Sequence, residues 1–201
     1  MLELETPHGP ARANVQPVDE PVAALVLGHG AGGGIESPDL VGAAKAARAA
    51  GLSVALVEQP YRVAGRRSPA PAGQLDTAWA AVVSQLCDGP LAGLPILTGG
   101  RSAGARVACR TAAETASVAV VCLAFPLHPP GRPEKSRLAE LQGVELPTLV
   151  VQGEKDPFGI PPAGPSRTVT LIPGTHSLRS AAAVEAAVSA WLANQAAIRS
   201  G

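Results

Sequence analysis

Three side chains stand in an order that could transfer an acyl group. Ser102 lies in Gly100-Arg101-Ser102-Ala103-Gly104, a G-x-S-x-G, and Asp156 and then His176 follow it along the chain. A serine hydroxyl is a weak nucleophile, so it needs a base to take its proton, and an imidazole base needs an acid to fix its orientation. The glycines at either end of the motif suit a sharp turn, because a Cβ at those positions would strike the adjacent strand or helix. Asp156 sits in Gly153-Glu154-Lys155-Asp156-Pro157 and His176 in Pro173-Gly174-Thr175-His176-Ser177. A loop Asp before Pro is commonly a turn former and a loop His is commonly solvated. Glu154 is a rival for the acid.

A second segment, Gly28-His29-Gly30-Ala31-Gly32-Gly33-Gly34, admits several readings. As an oxyanion loop it would offer backbone N–H groups to a developing negative oxygen, Ala31 and Ala103 forming the pair. As a dinucleotide fingerprint it matches G-x-G-x-x-G, with Glu58 where a ribose-binding acid would stand. The third reading is a structural glycine loop. A helix that starts only at Pro38 would leave no helix N-terminus facing a pyrophosphate, and a dinucleotide site leaves Ser102, Asp156 and His176 unexplained. His29 can brace the turn or stand at a substrate rim.

The elements that must hold these groups alternate along the chain. Short apolar runs and Ala-rich helical stretches predict an α/β fold, a mostly parallel sheet of about seven strands with helices on both faces. Leu2–Glu5 and Ala11–Val15 read as an opening hairpin. Val22–Leu27, Ser53–Val57, Ile96–Thr98, Val118–Ala124, Thr148–Val151 and Val169–Ile172 read as strands. Helices are expected from Pro38, with Ser37 as N-cap, to about Ala50, over Gln74–Asp88, and from about Ser180 to Ala197. Another follows Ser102, with Ala105, Ala108, Cys109 and Ala112 on one face. Residues 59–73, with several Pro and Arg, read as loop. The nucleophile, the acid and the base thus each leave the carboxyl end of a strand, where open α/β sheets place their sites.

Composition bounds the rest. The 201 residues fit a single domain spanning 1–201, and 16 basic residues against 16 acidic ones leave no field to recruit nucleic acid or an anionic membrane. With 46% hydrophobic residues and 2% aromatic, the core must be built from Ala, Val and Leu. Cys87, Cys109 and Cys122 lack any C-x-x-C, which argues against a zinc cluster or a disulfide framework and for a reducing compartment. No basic leader with an apolar stretch opens the chain, so a cytoplasmic location is expected. No metal-ligand motif or P-loop lysine occurs, so no metal and no cofactor are expected. Nothing here speaks to oligomeric state.

These residues resemble the α/β-hydrolase fold over most of the chain. Gly28-His29-Gly30-Ala31-Gly32-Gly33, Tyr61-Arg62 with Gly65-Arg66-Arg67, the elbow around Ser102, and Phe125-Pro126-Leu127-His128-Pro129-Pro130-Gly131 resemble a narrower group. It is the hydrolase-like family of non-specific-lethal complex subunit three and testis-expressed protein thirty, whose bacterial members are often labelled dienelactone-hydrolase-like. The resemblance implies Ser102 as nucleophile, Asp156 as acid and His176 as base. True dienelactone hydrolases carry a cysteine at the nucleophile position, so Ser102 argues against transferring their substrate.

The expected activity is hydrolysis of a small ester or thioester through an acyl-enzyme. The 22 residues of Phe125–Leu146 are too few for a substantial cap, which predicts an open site. His29, Arg66, Arg101 and His128 are candidates for a substrate rim, and a basic rim would suit an anionic substrate. Such arginines equally serve to tie loops together. A second reading, from another class, is a catalytically weak or silent α/β-hydrolase-fold protein that binds a protein partner.

Overall fold

In a computed structural model, residues 1–195 are described. Eight strands form one sheet in the order β1-β2-β4-β3-β5-β6-β7-β8: β1 Leu2–Leu4, β2 Ala11–Gln16, β3 Ala23–Gly28, β4 Leu52–Glu58, β5 Ile96–Arg101, β6 Ala119–Leu123, β7 Thr148–Gly153 and β8 Arg167–Ile172. β1 and β2 pair antiparallel, as does β2 with β4, and every other pairing is parallel. The sheet has one strand more than expected, the opening hairpin adding both of its strands to the parallel core.

Among the described residues, six helices cover it: α1 Pro38–Ala49, α2 Pro60–Val63, α3 Ala72–Asp88, α4 Ala103–Thr111, α5 Leu138–Gln142 and α6 Ala181–Ala193. The two-residue repeat of the strands divides the core. Leu25, Leu27, Val54, Leu56, Val121 and Val151 face α1 and α6, while Ala24, Val26, Ala55 and Val57 face α3. Ala105, Ala108, Cys109 and Ala112, the predicted apolar face of α4, all pack into a third cluster with β6, β7 and α5. Small residues let helices approach closely: a Cβ on Gly42 of α1 would collide with the Ala181 carbonyl at the start of α6.

Several boundaries differ from expectation. β5 runs through Gly99, Gly100 and Arg101 to the nucleophile, because these glycines stay in register with β3 and β6. A Cβ on Gly99 would strike the Val121 carbonyl, so its glycine serves close strand packing and not a turn. Residues 59–73 are not all loop, since Pro60 supplies the preset φ of a first helical position and starts the short α2. Ser37 precedes α1 as expected, yet its hydroxyl makes no cap bond and donates to Asp39 Oδ1 at 2.6 Å. The expected C-terminal helix ends at Ala193, and its last expected residues, 196 and 197, lie outside the described ones. Between β6 and β7 there is only α5 and loop, so no cap covers the carboxyl edge.

Candidate active site

Ser102 occupies the one-residue turn between β5 and α4, with φ 51° and ψ −105°. A side-chain-bearing residue at positive φ is strained, by about 1–3 kcal/mol, and persists only where its surroundings fix it. Here the fixing is visible. The Ser102 amide donates to the Leu123 carbonyl at 2.9 Å, and the Arg106 amide donates back to the Ser102 carbonyl at 3.2 Å. Gly28, Gly100 and Gly104 meet backbone to backbone beneath the turn: a Cβ on Gly100 or on Gly104 would stand 2.5 Å from the Gly28 carbonyl oxygen.

The base and the acid reach the same point from the far side of the sheet. His176 Nε2 lies 2.9 Å from Ser102 Oγ, and Nδ1 lies 2.9 Å from Asp156 Oδ2. The loop after β8 sits this low because Gly153 ends β7; a Cβ there would collide with the Thr175 carbonyl. Asp156 is 7% exposed and accepts further bonds from the Phe158 amide to Oδ1 and from Gln152 Nε2 to Oδ2, both 2.8 Å. A carboxylate that only accepts suits the ionised form. It also holds the hydrogen of His176 on Nδ1, leaving Nε2 free to receive the serine proton. Glu154, the rival acid, is exposed, and Asp156 takes the place beside His176.

Three supporting residues, Phe158, Gln152 and Asp39, escaped the sequence reading, and a fourth, Tyr61, was quoted there without a role. Phe158 stacks on the His176 ring, centroids 4.0 Å apart and planes 27° apart. Gln152, fully buried on β7, directs its two amide hydrogens at Asp156 and at the Phe125 and Gly159 carbonyls, 3.0 and 2.9 Å away. A glutamine inside the apolar run Thr148–Val151 and Gly153 was the available signal. Asp39, fully buried in the first turn of α1, accepts from Arg101 Nε at 2.7 Å. The Tyr61 hydroxyl donates to the Ala31 carbonyl at 2.9 Å, and burial pushes the phenol up to about 12, so it remains a donor.

The four rim candidates fall in different places. His29 is 2% exposed and braces the glycine loop: Nδ1–H donates to the Gly30 carbonyl at 2.8 Å, and Nε2 accepts from the Gln59 amide at 3.1 Å. Acceptance at Nε2 requires a neutral ring, and burial lowers its pKa below the usual 6.5. Arg101 is engaged by Asp39 and by the His176 carbonyl at 3.2 Å, and it lies against Gly30, where a Cβ would meet its guanidinium 2.6 Å away. It ties the His176 loop to α1 and to the glycine loop. His128 donates from Nδ1 to the Pro129 carbonyl at 2.9 Å, and its ring packs on Gly159, beside the acid loop. Arg66 is exposed and borders a cavity next to Tyr61. Among the described residues, neither the Ala31 nor the Ala103 amide donates to a backbone carbonyl in the loops and turns.

The fold, with Ser102, His176 and Asp156 in hydrogen-bond contact at the carboxyl edge of its sheet, is that of the α/β hydrolases. The family model of the alpha/beta hydrolase domain matches residues 21–180, and the chain belongs to that family. No curated protein sequence matches it. Among solved structures it is similar to an α/β serine hydrolase without lid from Xanthomonas campestris, with TM-score 0.75 and 21% identity over 96% of this chain and 92% of that one. It is similar to a dienelactone hydrolase from Anabaena variabilis, with TM-score 0.75 and 20% identity over 96% and 95%. It is also similar to Est1E from Butyrivibrio proteoclasticus with ferulic acid bound, with TM-score 0.77 and 17% identity over 98% and 100%.

Proposed function

We propose that this protein is a serine hydrolase that cleaves small esters or thioesters through an acyl-enzyme on Ser102. The observation that carries the proposal is the unbroken chain of contacts from Ser102 Oγ to His176 Nε2 and from Nδ1 to Asp156, each step 2.9 Å. His176 takes the Ser102 proton as Oγ bonds to the acyl carbon, and the carbonyl oxygen becomes an oxyanion facing the Ala31 and Ala103 amides. The tetrahedral adduct collapses as the bond to the leaving oxygen or sulfur breaks, and His176 gives that atom its proton. Water then attacks the acyl-enzyme, passes a proton to His176, and releases the acid while Ser102 recovers its hydrogen. Asp156 stays ionised throughout and stabilises the imidazolium.

The absence of a cap between β6 and β7 favours small or extended substrates over long buried chains. The motifs around Gly28, Tyr61, Ser102 and Phe125 support a place near the non-specific-lethal complex subunit three and testis-expressed protein thirty group. The test is a fluorophosphonate probe with intact-mass readout, followed by an ester and thioester panel. A single adduct on the native chain that disappears in Ser102→Ala is expected. No adduct, or an equal adduct on Ser102→Ala, overturns the proposal.

A further inference from the structure

Arg101 stands between Gly100 and the nucleophile, and its side chain reaches two other segments of the site. Nε donates to Asp39 Oδ2 at 2.7 Å, and Nη2 donates to the His176 carbonyl at 3.2 Å. Nη1 lies against Gly30, where a Cβ would stand 2.6 Å from it, so this glycine makes room for the guanidinium. Gly30 precedes Ala31, whose amide is one of the two proposed oxyanion donors. A single planar group therefore connects the nucleophile turn, the His176 loop and the glycine loop.

The His176 loop needs such a tie. In the sheet, β6 and β7 stand between β5, which carries Ser102, and the edge strand β8, after which His176 follows. The loop has few backbone bonds of its own: the Leu178 amide donates to the Thr175 carbonyl at 3.3 Å, and the Lys155 amide donates to the Gly174 carbonyl at 2.9 Å. Among the described residues, no backbone amide in the loops and turns donates to the His176 carbonyl, which Arg101 Nη2 takes. The bond to Asp156 and the stack on Phe158 orient the imidazole ring. The bond from Arg101 acts on the backbone that carries the ring, and it comes from the residue adjacent to Ser102.

Asp39 fixes the other end of the guanidinium. Its Oδ1 is occupied by the Ser37 hydroxyl at 2.6 Å and the Leu40 amide at 2.9 Å, which leaves Oδ2 to Arg101. The carboxylate is fully buried in the first turn of α1, where the helix dipole favours a negative charge. A guanidinium holds two acceptors in a fixed relative geometry, which an ammonium on a flexible stem does not. Such precision matters to a base, because a misplacement of about 1 Å can cost about 10²-fold in rate.

We propose that Arg101, held by Asp39, is a positioning residue that sets His176 against Ser102, acting through the base and not through a bond to substrate. This rests on the serine-hydrolase reading above. The experiment uses the native chain, Arg101→Lys and Asp39→Ala/Arg101→Met. It measures the rate of fluorophosphonate labelling, and kcat and kcat/KM for neutral p-nitrophenyl acetate and anionic mono-p-nitrophenyl succinate, each per serine labelled at completion. The lysine keeps a cation beside Asp39 and the double variant strands no charge; counting per labelled serine removes any unfolded fraction from the readout. In both variants the labelling rate, and kcat together with kcat/KM for both esters, should fall by about 10- to 100-fold. The labelling rate decides by itself if neither ester is turned over. Native rates per labelled serine in either variant mean that Arg101 serves the fold alone, and a loss confined to the succinate ester means that it binds substrate. Either result overturns this inference and leaves the hydrolase reading standing. No labelling and no hydrolysis in the native chain overturns the hydrolase reading and this inference with it.

Discussion

Removing Asp39 should destabilise the whole fold although the residue touches no substrate. Its carboxylate is fully buried and accepts from the Arg101 guanidinium, whose side chain is 18% exposed, and from the Ser37 hydroxyl and Leu40 amide. In Asp39→Ala the guanidinium keeps only the His176 carbonyl as partner. An uncompensated buried charge of this kind costs about 3–5 kcal/mol. A domain of this size loses about 2–4 °C of Tm per kcal/mol, so the midpoint should drop by roughly 6–20 °C. Urea unfolding followed by circular dichroism should show a lower midpoint at an unchanged slope. The decisive measurement is the double variant Asp39→Ala/Arg101→Met. If the loss comes from the stranded charge, removing the charge restores at least half of it, because an apolar pair replaces an ion pair at little cost. A loss below about 1 kcal/mol in Asp39→Ala, or losses that simply add in the double variant, would refute the reasoning.

Three further outcomes follow from the same geometry. His29 has a lowered pKa in the fold against 6.5 unfolded, so below pH 6.5 the unfolded chain binds the extra proton. Stability should therefore fall as pH drops from 6.5, by up to about 1.4 kcal/mol per unit, and level off below the folded value. Urea midpoints from pH 7.5 to 5 should flatten in His29→Gln, and an unchanged profile counts against the buried neutral ring. Gly104→Ala places a Cβ 2.5 Å from the Gly28 oxygen and should cost about 3 kcal/mol or more, whereas Gly33→Ala meets nothing within 4 Å and should stay within about 0.5 kcal/mol. Equal melting points for the two would contradict the packing beneath the elbow. Phe158→Ala removes the ring stacked at 4.0 Å on His176 and should lower kcat/KM about 2- to 10-fold, with Phe158→Tyr close to native. Unchanged turnover of a good ester would show that the stack positions nothing.

What the sequence disclosed and what it hid divide along a physical line. Ser102 was legible because the steric demand of its turn acts on near neighbours: Gly100 and Gly104 are two residues away, and their reason is the Gly28 backbone they touch. Asp156 and His176 were legible because strand ends can be read from apolar runs. Asp39, Phe158 and Gln152 were not, because each is an ordinary residue for its local position. An acid in a first helical turn suits the helix dipole wherever it occurs, and only the fold brings Arg101, 62 residues away, onto it.

The same division explains how the arginines and the aromatics exchanged roles. In a chain with five aromatic residues, Trp79, Phe125, Trp191 and Tyr61 are at most 6% exposed, leaving Phe158 as the half-exposed one, and it lies on the catalytic base proposed here. Of the two arginines read as rim candidates, Arg101 is held by Asp39, while Arg66 is exposed. A guanidinium satisfied by a carboxylate has little left for a substrate anion, since the pair has already neutralised its field and fixed its fork.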